Sequence, residues 1–279
     1  MTALAGKNII ILGGTGTLGK AITSCIIKEY TDIQSLTIFS RDEVKQLEMM
    51  EEFSQTSCKI DYLLGDVRDV DRLNEVLQGM DFVVHAAAIK HVVMAERNPE
   101  ECYKTNVLGS QNVVDACLSQ EVDKALLIST DKAVNPEGVY GWSKYQAEQL
   151  FIDANTDRGC QFKVIRFGNI VGSRGSVWET FSKQRETGIL KVTHAEATRF
   201  YIEQEEAASF VISKLSEMKN EREISSPEMN AIRILDLARS MAPECKIEFT
   251  GLRKGDKLHE ELDGVSSEEC FLEKKLAAR

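Results

Sequence analysis

Six short apolar runs rich in β-branched residues, at 8–12, 35–39, 59–64, 82–86, 124–128 and 162–167, alternate with longer segments of helical period. Apolar runs of that length read as strands buried on both faces, and their alternation with helices predicts a parallel sheet joined by helical crossovers. The helices are predicted at 16–30, 43–53, 70–77, 100–120 and 141–155, with Asn98 and Pro99 as a cap and a first-turn proline. Beyond Phe167 the rhythm changes to loops, shorter strands and helices at 177–186, 204–219 and 232–241. Ser176 and Glu179 have capping-box spacing at the first of these. The charge-rich stretch 217–223 reads as a solvated helix end and loop. The pattern predicts an α/β, doubly wound parallel sheet over 1–167, and a smaller substrate-binding part over 168–279, interleaved with the first.

A chain of 279 residues suits one large domain, or one with a small appendage. Its 34 Lys and Arg against 44 Asp and Glu give a net charge of −10, which repels phosphate backbones and anionic membranes, so nucleic acid is not an expected partner. No apolar run reaches the roughly 18 residues that cross a bilayer; even 82–89 is interrupted by His85. The start, Met1 to Lys7, lacks a charged region followed by a long apolar one, and 9–12 leads straight into glycines, as a strand does and a signal peptide does not. Seven scattered cysteines (Cys25, Cys58, Cys102, Cys117, Cys160, Cys245, Cys270) include no Cys-x-x-Cys, and no paired histidines stand near them. Reduced thiols in a cytoplasm, without a metal site, are expected.

Gly13-Gly14-Thr15-Gly16-Thr17-Leu18-Gly19 follows the first strand and opens the first helix. The glycines permit a tight turn, close approach of backbone to a pyrophosphate, and close helix–sheet packing, the marks of a Rossmann-type dinucleotide site. About twenty residues on, where an NAD-binding chain commonly carries an acid for the ribose, stand Ser40 and Arg41. Lys45 lies four residues after Arg41, so on a helix starting here both cations face one 2′-phosphate, and NADP is expected over NAD. Solvated surface charges are the competing reading. Asp66 and Val67 close the third strand, where a carboxylate accepts an adenine amino group or is a simple loop residue. Tyr140 and Lys144 stand one helical turn apart. A phenol with a pKa of about 10 is a poor base at neutral pH, and a nearby ammonium would stabilise its phenolate. His85, His91, His194 and His259 are scattered and read as packing or loop residues, as do Trp142 and Trp178.

After the fifth strand comes Ser129-Thr130-Asp131-Lys132-Ala133-Val134-Asn135-Pro136, an acid beside a lysine. Two further runs, Ala86 to Val92 and Arg166 to Ser176, precede a last motif, Arg253-Lys254-Gly255-Asp256-Lys257-Leu258-His259-Glu260. In this order the motifs resemble the extended short-chain dehydrogenase/reductase superfamily, and within it the UDP-N-acetylglucosamine 4,6-dehydratases, the inverting branch that begins pseudaminic acid synthesis for surface or flagellar glycans. The resemblance runs from the first strand to about Glu261. It implies NADP held by Gly13, Thr15, Gly16, Thr17, Leu18, Gly19, Ser40, Arg41, Lys45, Asp66, Val67, Ala86, Lys90, Tyr140 and Lys144. It places a UDP-sugar against Lys90, Asn169, Arg174, Arg199, Arg253 and Asp256.

The same resemblance implies that Tyr140, with Thr130 and Lys144 in its catalytic set, takes the proton from the hydroxyl on carbon 4 while NADP takes the hydride. Lys132, made neutral by desolvation and by repulsion from Lys144, then removes the carbon-5 proton. Asp131 is the acid that helps hydroxide leave carbon 6. Hydride returns to carbon 6, and carbon 5 is reprotonated on its opposite face. In the last motif Lys254 and Asp256 stand where these enzymes usually carry Pro and Glu. The chain ends soon after that motif, a second departure, so a family C-terminal extension is expected to be short or absent; a homo-oligomer, dimer or hexamer, is also implied. A UDP-sugar 4-epimerase or a 4-keto-sugar reductase needs Tyr140 and Lys144 but not Asp131 beside Lys132; a non-catalytic NADP-binding protein needs none of the four.

Overall fold

The computed structural model describes residues 3–155, 159–218 and 224–277. Six strands, β1 (Asn8–Leu12), β2 (Ser35–Ser40), β3 (Ile60–Leu64), β4 (Phe82–His85), β5 (Lys124–Thr130) and β6 (Gln161–Phe167), form one parallel sheet with a seventh from later in the chain. Helices α1 (Thr17–Glu29), α2 (Glu43–Glu52), α3 (Val70–Leu77), α4 (Val92–Arg97), α5 (Pro99–Tyr103), α6 (Gly109–Ser119) and α7 (Val139–Ala154) connect them. The second half adds β7 (Asn169–Ile170), α8 (Val177–Arg185), β8 (Ile189–Val192), β9 (Thr198–Ile202), α9 (Gln204–Glu217), β10 (Ile224–Ser225), β11 (Asn230–Arg233), α10 (Ile234–Met241), β12 (Lys246–Phe249), β13 (Glu261–Leu262), β14 (Val265–Ser266) and α11 (Ser267–Ala277). The sheet order is β10-β6-β5-β4-β1-β2-β3. Strand order reverses between β1 and β4, and the crevice there opens at the carboxyl ends of the strands.

Alternate residues of the central strands feed two cores. Ile9, Ile11, Leu36 and Ile38 pack with Leu18, Ile22 and Ile26 of α1 and with Ala208, Val211 and Leu215 of α9. Ile10, Leu12, Val83 and Leu127 face the other way, onto α3, α6 and Phe151 of α7. The chain beyond Phe167 thus returns to the sheet twice, with α9 against α1 and β10 beside β6. A separate cluster of Phe181, Leu190, Val192, Ile234 and Leu237 holds the smaller part together. No helix among the described residues is long and apolar enough to cross a membrane.

Four local expectations need correction. The helix at 100–120 is interrupted by a π turn, Lys104–Leu108, which buries Asn106, and a short helix, α4, precedes it. Asn98 stands at the N-cap of α5 with Pro99 in the first turn, as expected, but makes no side-chain cap bond: its amide donates to Met94 O and closes α4 instead. The capping box at α8 does not form, because the Ser176 N–H is taken by Ser173 O and Glu179 accepts from Gly175 N–H. The helix at 232–241 starts at Ile234, since the preceding residues pair with β9. The expected end of α9 at Lys219, and residues 219–223 of the charged stretch, lie outside the described residues.

Candidate active site

A cavity of about 1010 Å³ runs across the carboxyl ends of the strands. One end is the turn between β1 and α1. Gly13 has φ of 82°, and a Cβ there would lie 2.6 Å from Ala87 N, so the β4 loop closes down on a bare backbone. Gly16 begins α1 without a side-chain cap and no acid stands in the first turn, leaving the helix's leading N–H groups and its positive end free for an anion. These residues fit the pyrophosphate of a dinucleotide.

Ser40, Arg41, Lys45, Asp66 and Val67 line the same end. The two cations do not share a helix face: Asp42 caps α2, and Arg41 lies before it. Arg41 Nη1 is 3.4 Å from Asp66 Oδ2, which Arg68 also engages at 2.7 Å, while Lys45 pairs with Asp42.

At the opposite end β5 runs two residues further than expected and delivers Thr130 to a single 3-10 turn, Asp131–Ala133. A Cβ on Gly141 would meet Lys132 O at 2.4 Å, so this glycine lets α7 press onto that turn between Tyr140 and Lys144. Tyr140 is 9% exposed and hydrogen-bonds with Thr130. Burial pushes its phenol up to about 12, against the Lys132 charge and the Thr130 bond, which favour the phenolate. Burial pulls the Lys144 ammonium down to about 8, opposed by Glu148 one turn on. The cation expected to stabilise the phenolate was Lys144; here Lys132 does so.

Lys132 departs further from expectation. Its Nζ lies 3.0 Å from Asp131 Oδ1 and 3.2 Å from Glu260 Oε1. Burial favours the neutral amine, but the two carboxylates outweigh it and hold Lys132 above the ordinary lysine value. Repulsion from Lys144 has no visible part in this. Asp131 is fully buried, and burial raises its carboxyl despite the Lys132 charge, as an acid requires.

Two residues of this end were not singled out from sequence. Asn106, in the π turn, accepts from Ile89 N and donates to Ile89 O and to Ser143 Oγ, fixing the 86–90 wall of the cavity against α7. Polar residues surround it in the sequence, so nothing there marked it out. Glu260 closes the last quoted motif and is 1% exposed. Its role as a partner of Lys132 has no short-range signature.

Lys90, Asn169 and Arg174 line the cavity, Arg174 at its glycine-turn end, where its guanidinium lies 3.8 Å from Glu48 of α2. Asn169 Nδ2 donates to Phe200 O, and the Arg174 N–H reaches Thr17 Oγ1 at 3.3 Å. Arg199, Arg253 and Asp256 are not on the cavity wall. Arg199 donates to the carbonyls of Thr198, Lys257 and Leu258, and Arg253 Nε donates to Asp256 Oδ2 at 2.7 Å.

A family model described as "Polysaccharide biosynthesis protein" matches residues 9–277. The chain belongs to this family. Its doubly wound sheet is the short-chain dehydrogenase/reductase fold. A Campylobacter jejuni protein named UDP-N-acetylglucosamine 4,6-dehydratase (inverting) is 43% identical over 272 residues, 96% of this chain and 80% of that one. A Rickettsia canadensis protein named UDP-glucose 4-epimerase is 37% identical over 273 residues, 94% and 79% of the two chains. Among solved structures, Pen from Bacillus thuringiensis superposes with a TM-score of 0.87 at 35% identity, over 93% of this chain and 82% of that one.

Proposed function

We propose that this family member is an NADP-dependent UDP-N-acetylglucosamine 4,6-dehydratase that inverts carbon 5. The observation that carries the reading is the lysine of the Asp131–Ala133 turn, on the wall of one cavity with Tyr140 and the glycine turn and backed by the fully buried Asp131 carboxyl at 3.0 Å. Oxidation at carbon 4 needs Tyr140 and Lys144 alone, whereas elimination across carbons 5 and 6 also needs a base and an acid. The likeness to the Campylobacter jejuni enzyme supports the same choice.

A bound nicotinamide would accept hydride from carbon 4 and return it to carbon 6. Gly13 to Gly19 would hold its pyrophosphate, and Arg41 and Lys45 a 2′-phosphate. Tyr140 accepts the proton of the carbon-4 hydroxyl, with Thr130 and Lys132 favouring its phenolate, and Lys144 holds positive charge beneath it. The resulting ketone acidifies carbon 5. Lys132 removes that proton, and the buried Asp131 carboxyl protonates the departing carbon-6 hydroxyl. Lys90, Asn169 and Arg174 orient the sugar nucleotide from the facing wall.

Incubation with UDP-N-acetylglucosamine and NADP, followed by mass analysis and proton NMR, tests this. Loss of one water without net NADPH change is expected, with a 4-keto-6-deoxy-L-arabino product and solvent deuterium on carbon 5. An epimer of unchanged mass would instead assign a 4-epimerase, the activity named for the Rickettsia relative.

A further inference from the structure

Lys132 is shared between two buried carboxylates that reach it from different parts of the chain, and only one of them is required as an acid. Glu260 stands immediately before β13. Its N–H donates to Ser267 Oγ at 3.0 Å and its carbonyl accepts from Ser267 N–H at 2.8 Å. The segment is strapped onto the 131–135 turn by Asn135 Nδ2 to Glu261 Oε2, 2.9 Å, and by the Lys257 ammonium on Val134 O. Beyond the Lys132 ammonium, 3.2 Å from Oε1, the Glu260 carboxylate has no hydrogen-bond partner among the described residues, and Arg199 Nε is 3.8 Å away. A fixed, buried carboxylate with open lone pairs beside a cation calls for a reason.

An amine removes a proton from carbon only after giving up its own. Lys132, held as an ammonium, needs an acceptor within reach. Asp131 does not serve, since in this scheme it enters the elimination already protonated, the form that burial and the Glu260 charge favour, and Glu260 alone then holds the Lys132 charge. Resting on the dehydratase reading, we propose that Glu260 is the proton partner that makes Lys132 a base. The Lys132 side chain is 19% exposed, and a sugar seated over it removes the remaining water. An ion pair stripped of water neutralises readily by transferring its proton.

Once Tyr140 has taken the carbon-4 proton, Glu260 becomes a carboxylic acid and Lys132 an amine. The carbon-5–hydrogen bond breaks and its proton goes to Lys132. The electron pair forms the carbon-5–carbon-6 double bond as the carbon–oxygen bond breaks, and the leaving hydroxide takes the Asp131 proton as water. Lys132 next passes a proton to Asp131 Oδ1 and recovers one from Glu260, which restores all three groups. The charged or titratable groups facing the pair are Asp131 on its own turn, Tyr140 from α7, Arg199 from β9 and Lys257 from the strap. Glu260 acts through Lys132 and is a positioning residue.

Glu260→Gln and Glu260→Asp, compared with wild type on UDP-N-acetylglucosamine and on substrate deuterated at carbon 5, test this. Wild type must first release water; if it does not, the dehydratase reading fails whatever Glu260 does. For Glu260→Gln a fall in kcat of about a hundred-fold or more is expected at little-changed KM, with a larger carbon-5 isotope effect. The deficit should narrow by about tenfold per pH unit as Lys132 loses its proton to solvent instead. Glu260→Asp, which keeps a carboxylate, should show a wild-type-shaped pH profile at reduced kcat. Turnover of Glu260→Gln within threefold of wild type, or a loss with a parallel pH profile and an unchanged isotope effect, overturns the proposal. If Glu260→Gln fails to fold, Glu260→Asp decides alone: full wild-type kcat with an unchanged isotope effect overturns it, and a reduced kcat with an increased isotope effect supports it.

Discussion

The two ends of the cavity are built on different plans. The glycine turn is one contiguous run, Gly13 to Gly19, whose geometry follows from missing Cβ atoms and an uncapped helix start. The end around Lys132 gathers Asp131 from a turn, Tyr140 from α7, Arg199 from β9 and Glu260 from the segment before β13. In the first, each residue works through its own backbone. In the second, each charge is set by the others, so a change at one resets the rest.

The largest effect is expected at the convergent end. Lys132→Ala should reduce turnover by about a hundred-fold or more, the scale of a general base, and leave no solvent deuterium entering carbon 5. It should also leave Asp131 and Glu260 buried without their common cation. Removing one partner of a buried pair costs about 3–5 kcal/mol, so the melting midpoint should fall at neutral pH and recover as the carboxyls take up protons on acidification. Tyr140→Phe, which removes no charge, should abolish turnover with little change in midpoint. Equal midpoints for both variants across pH would break the contrast, because Lys132 would then not be coupled to its neighbours.

Next in size is Lys144. Its folded pKa is lowered from 10.5 to about 8, so between those values the folded chain binds fewer protons than the unfolded one. The residue therefore costs stability below about pH 8, and the cost fades as pH rises towards the unfolded value. At 1.36 kcal/mol per pH unit this is about 3 kcal/mol for a side chain only 3% exposed. Lys144→Met should raise the midpoint of the ligand-free protein at pH 7, lose that advantage by about pH 10.5, and turn over poorly throughout. Wild-type turnover should decline above about pH 8 as the ammonium is lost. A destabilised Lys144→Met at pH 7 would show that its ion pairing with Glu148 outweighs its burial.

Legibility in the sequence follows the same division. The strands were visible because those at the centre of the sheet, such as β1 and β4, are apolar runs buried on both faces, whereas the edge strand β3 carries Asp61 and is only half-buried; the glycine turn was visible because its requirements are met within seven residues. The π turn at 104–108 was not, since a helical period carries through it and the extra residue shows only in the backbone, where the Gly109 N–H reaches back to Lys104 O. Asp131, Lys132, Tyr140 and Lys144 were readable as a set from motif order. The charge on Lys132 was legible only in part, because beside the adjacent Asp131 it depends on Glu260, 128 positions further along. The resemblance placed Arg199 against the sugar nucleotide, whereas in the fold its guanidinium braces the strap that carries Glu260.

The smallest effect is expected at the local end and concerns the choice between NADP and NAD. Arg41 is 57% exposed and already lies 3.4 Å from Asp66 Oδ2, while Lys45 is paired with Asp42. A 2′-phosphate would exchange one carboxylate for a more highly charged anion, so its gain is smaller than that of a phosphate meeting a free guanidinium, which is worth about 1.5–3 kcal/mol. A preference for NADP of about tenfold, equivalent to about 1.4 kcal/mol, is expected by calorimetry. Arg41→Ala should remove most of it while NAD affinity stays within about twofold, and Asp66→Asn, by freeing Arg41, should widen it. Because these charges are exposed, the preference should shrink between low and about 0.5 M salt. If Arg41→Ala weakens both cofactors equally, the residue holds the shape of the β2–α2 loop rather than reading the phosphate. The local end would then be as interdependent as the convergent one.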